Sequence, residues 1–199
     1  MICAVVLAAG LSSRMGAQKL LLPFGGKTVI SHIVEKILAS NVDEVYVVAG
    51  HQADRTSTEL SGLDVSIVNN PNYESGMLSS VRCGLNNLPE KCRAVLVALG
   101  DQPSVTAELI NQMLQAFEQT EKTILVPLYQ GKRGHPVLFS RQYHDEIMTD
   151  YDEVGLRGLL HGHPDEVFEM PVSTASVLSD MDYPEDYRRE LGLNDPDHR

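Results

Sequence analysis

A glycine- and serine-rich loop that carries two cations is the first place where this sequence can do chemistry. Residues 7–19 read LAAGLSSRMGAQK and follow directly after an apolar run. Small residues let the backbone approach a ligand closely, so its N–H groups can point at phosphate oxygens, and Arg14 and Lys19 add positive charge. Five residues separate Gly10 from Gly16, so the loop is neither a Walker A nor a GxGxxG loop. The pattern favours a triphosphate site; the alternative is a plain Gly/Ser turn with solvated cations.

Carboxylates at two other places form the second group of candidate residues. Residues 95–103 read VLVALGDQP, so Asp101 follows an apolar strand pattern, and residues 177–187 read VLSDMDYPEDY. Asp180 and Asp182 are two positions apart, which places both on the same side of an extended chain. Carboxylate oxygens suit Mg²⁺, which usually takes one or two of them together with phosphates and waters. The alternatives are turn formation at Asp101 and capping of the following helix by Asp182.

Residues 131–137 read GKRGHPV and place two basic residues and a histidine between glycines. This combination suits contact with an anion, and His135 is a candidate base or hydrogen-bond donor. The alternative is a tight hairpin with solvated charges.

Softer signals occur at residues 76–81 (GMLSSV) and 155–160 (GLRGLL). A serine at the start of a helix is more often a cap than a ligand contact. Arg157 is a candidate for holding a phosphate or a ring system, or for pairing with a surface carboxylate. We expect His161 and His163 to be solvated, because they lie in a His-Gly-His-Pro turn.

The elements that must position these residues alternate along the chain. Apolar runs without polar alternation are typical of parallel strands that helices cover on both faces, so the sequence predicts a doubly wound α/β domain. Ligands in such sheets lie beyond the carboxyl ends of the strands. After Gly131 the pattern becomes irregular, which suggests an insertion or a small second sheet. The predicted strands are 3–7, 45–49, 65–68, 94–99 and 124–126, the last closed by Pro127; the predicted helices are 30–38, 78–88 and 107–120.

Composition narrows the class of protein. The 199 residues carry a formal charge of −11, which disfavours binding to nucleic acid or to an anionic membrane surface. Three scattered cysteines suggest reduced thiols in a cytoplasm, and the first apolar run is far shorter than the ~20 residues of a membrane span. We therefore expect one cytoplasmic domain over residues 1–193 and a frayed tail at 194–199.

In order and spacing, residues 7–19 resemble the signature of the MobA-like nucleotidyltransferases, Leu-Ala-Ala-Gly-x-Ser-x-Arg-Met-Gly-x-x-Lys. This family includes sugar-phosphate and molybdopterin nucleotidyltransferases. The resemblance extends over residues 5–187 and implies a Rossmann-like three-layer fold with a mostly parallel, twisted sheet. The Gly-His-Pro-Val segment is most similar to the branch that transfers a cytidylyl group to the molybdenum cofactor.

The resemblance also implies roles for individual residues. Asp101 would bind Mg²⁺ with Asp182 as the second ligand and Asp180 in reserve; Tyr183 stands where the family usually has threonine. Arg14 and Lys19 would act with Asp101 in catalysis. The implied nucleotide contacts are Leu7, Ala8, Ala9, Gly10, Arg14, Lys19, Leu78, Ser79 and Ser80, and the implied acceptor contacts are Gly134, His135, Pro136 and Arg157.

The implied reaction joins CTP and a molybdopterin-type cofactor, and releases pyrophosphate. The product would serve a molybdenum hydroxylase, which is also the expected partner. A guanylyltransferase, an enzyme for another phosphorylated acceptor, and a nucleotide- or cofactor-binding protein without turnover are the alternatives. Guanylyltransferases resemble Leu-Ala-Gly-Gly where this chain has Ala9, so the extra methyl group predicts a preference for CTP over GTP.

Overall fold

The structure, a computed structural model, describes residues 1–193; the predicted tail at 194–199 lies outside them. The strands are β1 (Ile2–Ala8), β2 (Pro23–Phe24), β3 (Lys27–Thr28), β4 (Glu44–Ala49), β5 (Ser66–Asn69), β6 (Ala94–Leu99), β7 (Ile124–Tyr129), β8 (Lys132–Arg133), β9 (Val137–Ser140) and β10 (Val167–Pro171). The α-helices are α1 (Val29–Leu38), α2 (Ala53–Glu59), α3 (Met77–Asn86), α4 (Ala107–Gln119), α5 (His144–Thr149), α6 (Arg157–Gly162) and α7 (Pro184–Leu193).

One twisted, mostly parallel sheet organises the molecule. Its strand order is β10-β7-β9-β6-β1-β4-β5, and β8 pairs with β7. β1 lies between β4 and β6 and is parallel to both, with Val5 opposite Tyr46 on one side and Val97 on the other. The predicted α/β architecture is confirmed, and the carboxyl ends of β1, β4, β5 and β6 meet at one edge.

Helices cover both faces of this sheet. Alternate residues of β1 enter different cores: Ala4 and Val6 pack with α1 and α4, whereas Cys3 and Val5 pack with α3. This alternation is the period-two geometry of a strand that is buried on both sides. The result is three layers, with the apolar faces of the helices turned toward the strands.

The irregular pattern after Gly131 does not build a separate sheet. β8 forms a hairpin with β7, and β9 inserts antiparallel between β6 and β7 in the main sheet. Val137 to Phe139 are buried because their side chains alternate between the two cores on opposite faces of the sheet. Within residues 1–193, the two-stranded sheet is the β2–β3 hairpin.

The expectation that Pro127 closes a strand is wrong. β7 continues through Pro127 to Tyr129. A proline has no N–H to donate to a neighbouring strand. This is tolerated here because β9 pairs with β7 only at Ile124 and Leu125, so Pro127 has no partner in β9. The Pro127 carbonyl accepts a hydrogen bond from Gly134 N at 2.9 Å.

Cys3, Cys83 and Cys92 are free thiols. Over the described part of the chain, the helices are too short or too polar to cross a bilayer.

Candidate active site

Two adjoining cavities open at the carboxyl edge of the sheet. The first has a volume of about 410 Å³ and lies between the loop after β1 and the start of α3. The second has a volume of about 430 Å³ and lies between α3, α6 and the segment that leads into β9. Met77, Leu99 and Asp180 line both cavities, so two ligands bound there would meet at this boundary.

The loop after β1 is held in shape by a buried glutamine. Gln18 Nε2 donates hydrogen bonds to the carbonyls of Gly10 and His51, at 3.3 and 3.2 Å. Ser12 Oγ donates to Gln18 Oε1 at 2.6 Å and accepts from Lys19 N at 3.2 Å. These contacts tie the loop to the end of β4. The sequence interpretation gave Gln18 no role, because it occupies one of the variable positions of the motif.

Lys19 brings together the cationic loop and two of the predicted carboxylates. Its Nζ lies 2.5 Å from Asp101 Oδ2 and 3.0 Å from Asp182 Oδ1, and Asp182 Oδ2 accepts from Arg14 Nη1 at 2.9 Å. Burial alone would lower the pKa of Lys19, but the two carboxylates outweigh burial and raise it above its ordinary value. Lys19 is therefore a charged ammonium. Arg14 is the exposed member of the group and lies over the Tyr183 ring.

A close approach between β1 and β6 places Asp101. The Gly100 N–H donates to the Leu7 carbonyl at 3.0 Å, and a Cβ atom on Gly100 would lie only 2.7 Å from that same oxygen. Only glycine allows this contact without a shift of the backbone. The Asp101 carbonyl in turn accepts from Met181 N at 3.1 Å, which brings residues 180–182 to the same edge.

Asp180 and Asp182 both line the first cavity but have different partners. Asp182 pairs with the cations of the loop after β1, whereas Asp180 Oδ1 accepts from Gln102 Nε2 at 2.6 Å. Burial, followed by the nearby charge of Asp101, raises the pKa of Asp180. The capping alternative for Asp182 is not what the structure shows, since Asp186 Oδ2 accepts from the N–H groups of Asp182 and Tyr183.

The carboxylates of Asp101 and Asp182 fit a magnesium ion in donor type. Their oxygens already converge on one cation, the Lys19 ammonium. Among the described residues no group of three His, Cys, Asp or Glu side chains surrounds a single point. Mg²⁺ usually takes one or two carboxylates from a protein, and phosphates and waters complete its shell.

The predicted nucleotide contacts separate into those that face the first cavity and those that do not. Ala8 is fully buried in the core. Leu78 lines the second cavity. Ser79 Oγ contacts the Asn72 and Gly76 carbonyls at 2.9 and 2.8 Å and does not cap α3, whose N-cap residue is Gly76. The predicted contacts that line the first cavity are Leu7, Ala9, Gly10, Lys19 and Ser80.

Three nucleotide-side residues were missed by the sequence interpretation. Asn70 is buried, and its Nδ2 donates to Ser80 Oγ at 3.0 Å. Tyr73 and Glu74 line the first cavity. The available signal was their position, since these residues lie in the loop after β5, at the edge where ligands bind.

The second cavity combines apolar walls with cations. His135 and Arg157 line it, as expected for acceptor contacts, and so do Arg133 and His161. Burial lowers the pKa of His135, the charge of Asp101 raises it, and that of Arg157 lowers it; the net shift is downward, which favours a neutral ring. The apolar lining is Met77, Leu78, Val81, Leu99, Val137, Val154, Leu156 and Leu160.

Other expectations for this region need correction. Pro136 lines a separate small cavity beside Gln102, because the chain turns there toward the core. Gly134, in contrast, does line the second cavity as expected, and it must be a glycine, because a Cβ atom there would meet the Val177 carbonyl at 2.3 Å. His163 is not simply solvated, since its Nε2 lies 2.8 Å from Glu146 Oε1.

Comparison with known proteins gives a consistent result. The family model described as the MobA-like NTP transferase domain matches residues 4–167. The molybdenum cofactor cytidylyltransferase of Escherichia coli (strain K12) is 25% identical over 186 residues, which cover 92% of either chain. The bifunctional protein GlmU of Corynebacterium aurimucosum is 34% identical over 141 residues, but this match covers only 29% of GlmU.

A solved structure shows the same architecture. Rv0371c from Mycobacterium tuberculosis H37Rv superposes with a TM-score of 0.84 at 29% identity, covering 96% of this chain and 97% of that one. A second structure of Rv0371c, in complex with manganese, superposes with a TM-score of 0.78 at 30% identity, with the same coverage.

Proposed function

The chain belongs to the MobA-like NTP transferase family, and from this premise we propose that it transfers CMP from CTP to a molybdopterin-type cofactor with release of pyrophosphate. Family membership makes it a nucleotidyltransferase. The similarity to the Escherichia coli cytidylyltransferase supports the finer assignment, because it extends over 92% of both chains.

The observation that carries the proposal is the pair of adjoining cavities with different chemistry. In the first, Lys19 contacts the carboxylates of Asp101 and Asp182, a combination that suits a triphosphate and a divalent cation. The second shares Asp180 with the first, so an acceptor bound there faces the reacting phosphate. Two sites that meet at one boundary are what group transfer between two bound substrates requires.

The lining of the second cavity favours a ring system with a phosphate over a sugar phosphate. A sugar presents many hydroxyl groups and needs many polar partners, whereas both walls here are largely apolar, with Leu78 and Val81 on α3 and Leu156 and Leu160 on the α6 side. Arg157 provides positive charge for the acceptor's phosphate, whereas Arg133 also lines the cavity but pairs with Glu169 at 2.7 Å. Apolar walls beside a cationic group therefore suit a phosphorylated pterin.

The proposed reaction is an in-line substitution at phosphorus. An oxygen of the acceptor's terminal phosphate forms a bond to the α-phosphorus of CTP, and the bond between that phosphorus and the bridging oxygen breaks. Lys19 and Arg14 stabilise the charge that develops on the departing pyrophosphate. Asp101 and Asp182 would hold Mg²⁺, which supplies positive charge to the α-phosphate and the leaving group. The protein's own residues position the two substrates and stabilise the charge that develops between them.

A contact between Asn70 and Ser80 provides a hydrogen-bond donor for the base. Because Asn70 Nδ2 donates to Ser80 Oγ, the serine oxygen is oriented and its own proton is left to donate into the first cavity. A donor there suits O2 or N3 of cytosine, but guanine also presents acceptors, so the preference for CTP rests on Ala9 and on the similarity to the cytidylyltransferase.

The test offers the purified protein each of the four NTPs with Mg²⁺ and the molybdenum cofactor, and identifies the products by mass spectrometry. We expect the cytidine dinucleotide form and stoichiometric pyrophosphate. A guanosine product formed at the same rate would overturn the cytidylyl assignment. Product formed only when a sugar phosphate is offered in place of the molybdenum cofactor would assign a different acceptor class. CTP binding without pyrophosphate would identify a binding protein.

A further inference from the structure

Arg82 connects the helix that lies between the two cavities to the segment beside the second one. Its guanidinium donates three hydrogen bonds: Nε to the Ile147 carbonyl at 2.8 Å, Nη2 to the Asp150 carbonyl at 2.7 Å, and Nη1 to Asp152 Oδ1 at 2.6 Å. The planar fork of arginine suits several acceptors at once. Because the Asp152 side chain is 74% exposed, its ion pair contributes little, and the two main-chain carbonyls are the contacts that matter.

The segment that Arg82 holds leads directly into one wall of the second cavity. The Tyr151 carbonyl accepts from Val154 N and Gly155 N at 3.2 and 2.8 Å, so residues 151–155 form a compact turn. Val154, Gly155 and Leu156 line the cavity, and Arg157 follows as the first residue of α6. Restraining residues 147–152 therefore restrains the cavity wall that begins two residues later.

A second anchor fixes the same turn from the other side. The Tyr151 hydroxyl donates to Glu146 Oε1, and His163 Nε2 lies 2.8 Å from the same oxygen. α6 packs directly against the Tyr151 ring, since a Cβ atom on Gly158 would lie only 2.1 Å from it. The position of α6, and with it Arg157, depends on where Tyr151 is held.

α3 is the opposite wall of the second cavity and also belongs to the first. Leu78 and Val81 line the second cavity, Ser80 lines the first, and Met77 lines both. Arg82 is the residue directly after Val81, and its side chain is 22% exposed. Its bonds therefore set the separation between the two walls that an acceptor must fit between.

We propose that Arg82 is a positioning residue that holds the wall formed by residues 154–157 against α3, and thereby places Arg157 for the acceptor. This inference rests on the proposed function in one respect, the assignment of the second cavity to the acceptor. Arg82 itself touches neither reacting group. Its loss should therefore weaken use of the acceptor far more than use of the nucleotide.

The experiment compares Arg82→Met and Arg82→Lys with Arg93→Met, which removes an exposed arginine that pairs with Glu118 far from both cavities. Hydrogen exchange is measured over residues 150–157 without ligands, and KM is measured for CTP and for the molybdenum cofactor. For Arg82→Met we expect faster exchange, a KM for the cofactor raised about tenfold, and a KM for CTP changed less than about twofold. Arg82→Lys should be intermediate, because an ammonium cannot reach all three acceptors.

Unchanged exchange and unchanged KM values in Arg82→Met would overturn the proposal, and so would equal rises of both KM values. If Arg82→Met does not fold, Tyr151→Phe tests the same wall, and it should show the same KM difference in a milder form. The exchange measurement needs no acceptor. Failure of the unmodified protein to use the molybdenum cofactor would therefore count against the proposed function, whereas unchanged exchange would count against the role of Arg82.

Discussion

The Lys19 ammonium lies 2.5 Å from Oδ2 of Asp101, in a contact where both side chains are largely buried. The same nitrogen contacts Asp182 at 3.0 Å, so Lys19 stands between the two carboxylates proposed to bind magnesium. A lysine and a divalent cation at this place compete for the same oxygens. A bound triphosphate offers Lys19 phosphate oxygens as alternative hydrogen-bond acceptors. The two carboxylates are then free to bind the metal, so nucleotide binding favours metal binding.

Lys19→Met is expected to increase the affinity for Mn²⁺ in the absence of nucleotide while it slows pyrophosphate release. Removing the competing charge-assisted contacts should strengthen metal binding by about tenfold or more. Titration of Mn²⁺ followed by electron paramagnetic resonance measures this directly. Lys27→Met, which removes a lysine paired with Glu35 at the surface, is the matched control. Weaker or unchanged Mn²⁺ binding by Lys19→Met would show that the lysine does not compete with the metal.

Asp101→Asn and Asp182→Asn should each lower turnover by ~10²-fold or more, because each removes a charge from the proposed metal site. Asp180→Asn should act differently, since Asp180 bonds to Gln102 and borders the acceptor cavity. We expect Asp180→Asn mainly to raise the KM for the acceptor. Both this KM and the affinity for Mn²⁺ are measured for all three variants. Equal loss of Mn²⁺ binding in Asp180→Asn and Asp182→Asn would make Asp180 a metal ligand.

Ala9→Gly should narrow a preference for CTP over GTP. Ala9 lines the first cavity, and its methyl group lies beside Gly50, where an added Cβ atom would approach it to 2.8 Å. A difference of one methyl group in a pocket changes specificity by roughly 10–200-fold. Competition between CTP and GTP, followed as kcat/KM in both proteins, tests this. Equal use of the two nucleotides by the unmodified protein would remove Ala9 from base selection.

His32 should make stability depend on pH below neutrality. Burial, aided by the charges of Lys36 and Lys27 and opposed by Glu35, lowers the pKa of His32 from 6.5 to about 4. Between pH 6.5 and about 4, His32 is protonated in the unfolded chain but neutral in the folded protein. The free energy of unfolding therefore falls as the pH drops through this range.

His32→Leu should lose this part of the pH dependence, as measured by urea unfolding at about pH 7 and about pH 5. The leucine also replaces a ring that packs edge-on against Phe24 and whose buried Nε2 has no hydrogen-bond partner among the described residues. If wild type and variant lose the same stability on acidification, another group is responsible.

Much of the fold follows from local pattern. Strands such as Ala94–Leu99 are continuous apolar runs, which is the pattern of buried parallel strands. Parallel strands have their carboxyl ends at one edge of the sheet, so the proximity of the loop after β1 to Asp101 was predictable. The antiparallel insertion of β9 was not, because three buried apolar residues carry no period that distinguishes their direction. The run of β7 through Pro127 depends on where its neighbour ends, which is a property of the sheet.

The detailed geometry of the site could not be predicted from the sequence, because it depends on contacts between residues that are far apart in the chain. Spacing placed Asp180 and Asp182 on one side of the chain, but their different partners arise from the Met181–Asp101 bond and from the cap that Asp186 provides. Gln18 occupies a variable position of its motif. Its role in holding the loop after β1 is visible only from its hydrogen bond to the His51 carbonyl.

The ion pair between Arg14 and Asp182 joins residues that are 168 positions apart. During synthesis on the ribosome, the loop with Arg14 and Lys19 emerges early, whereas its carboxylate partner emerges only after β1 to β10 have been translated. Contacts of such long separation form late, because the intervening chain must first be ordered. A nascent chain, or one terminated before residue 182, therefore has the loop with Arg14 and Lys19 but lacks the carboxylate that pairs with both of these cations.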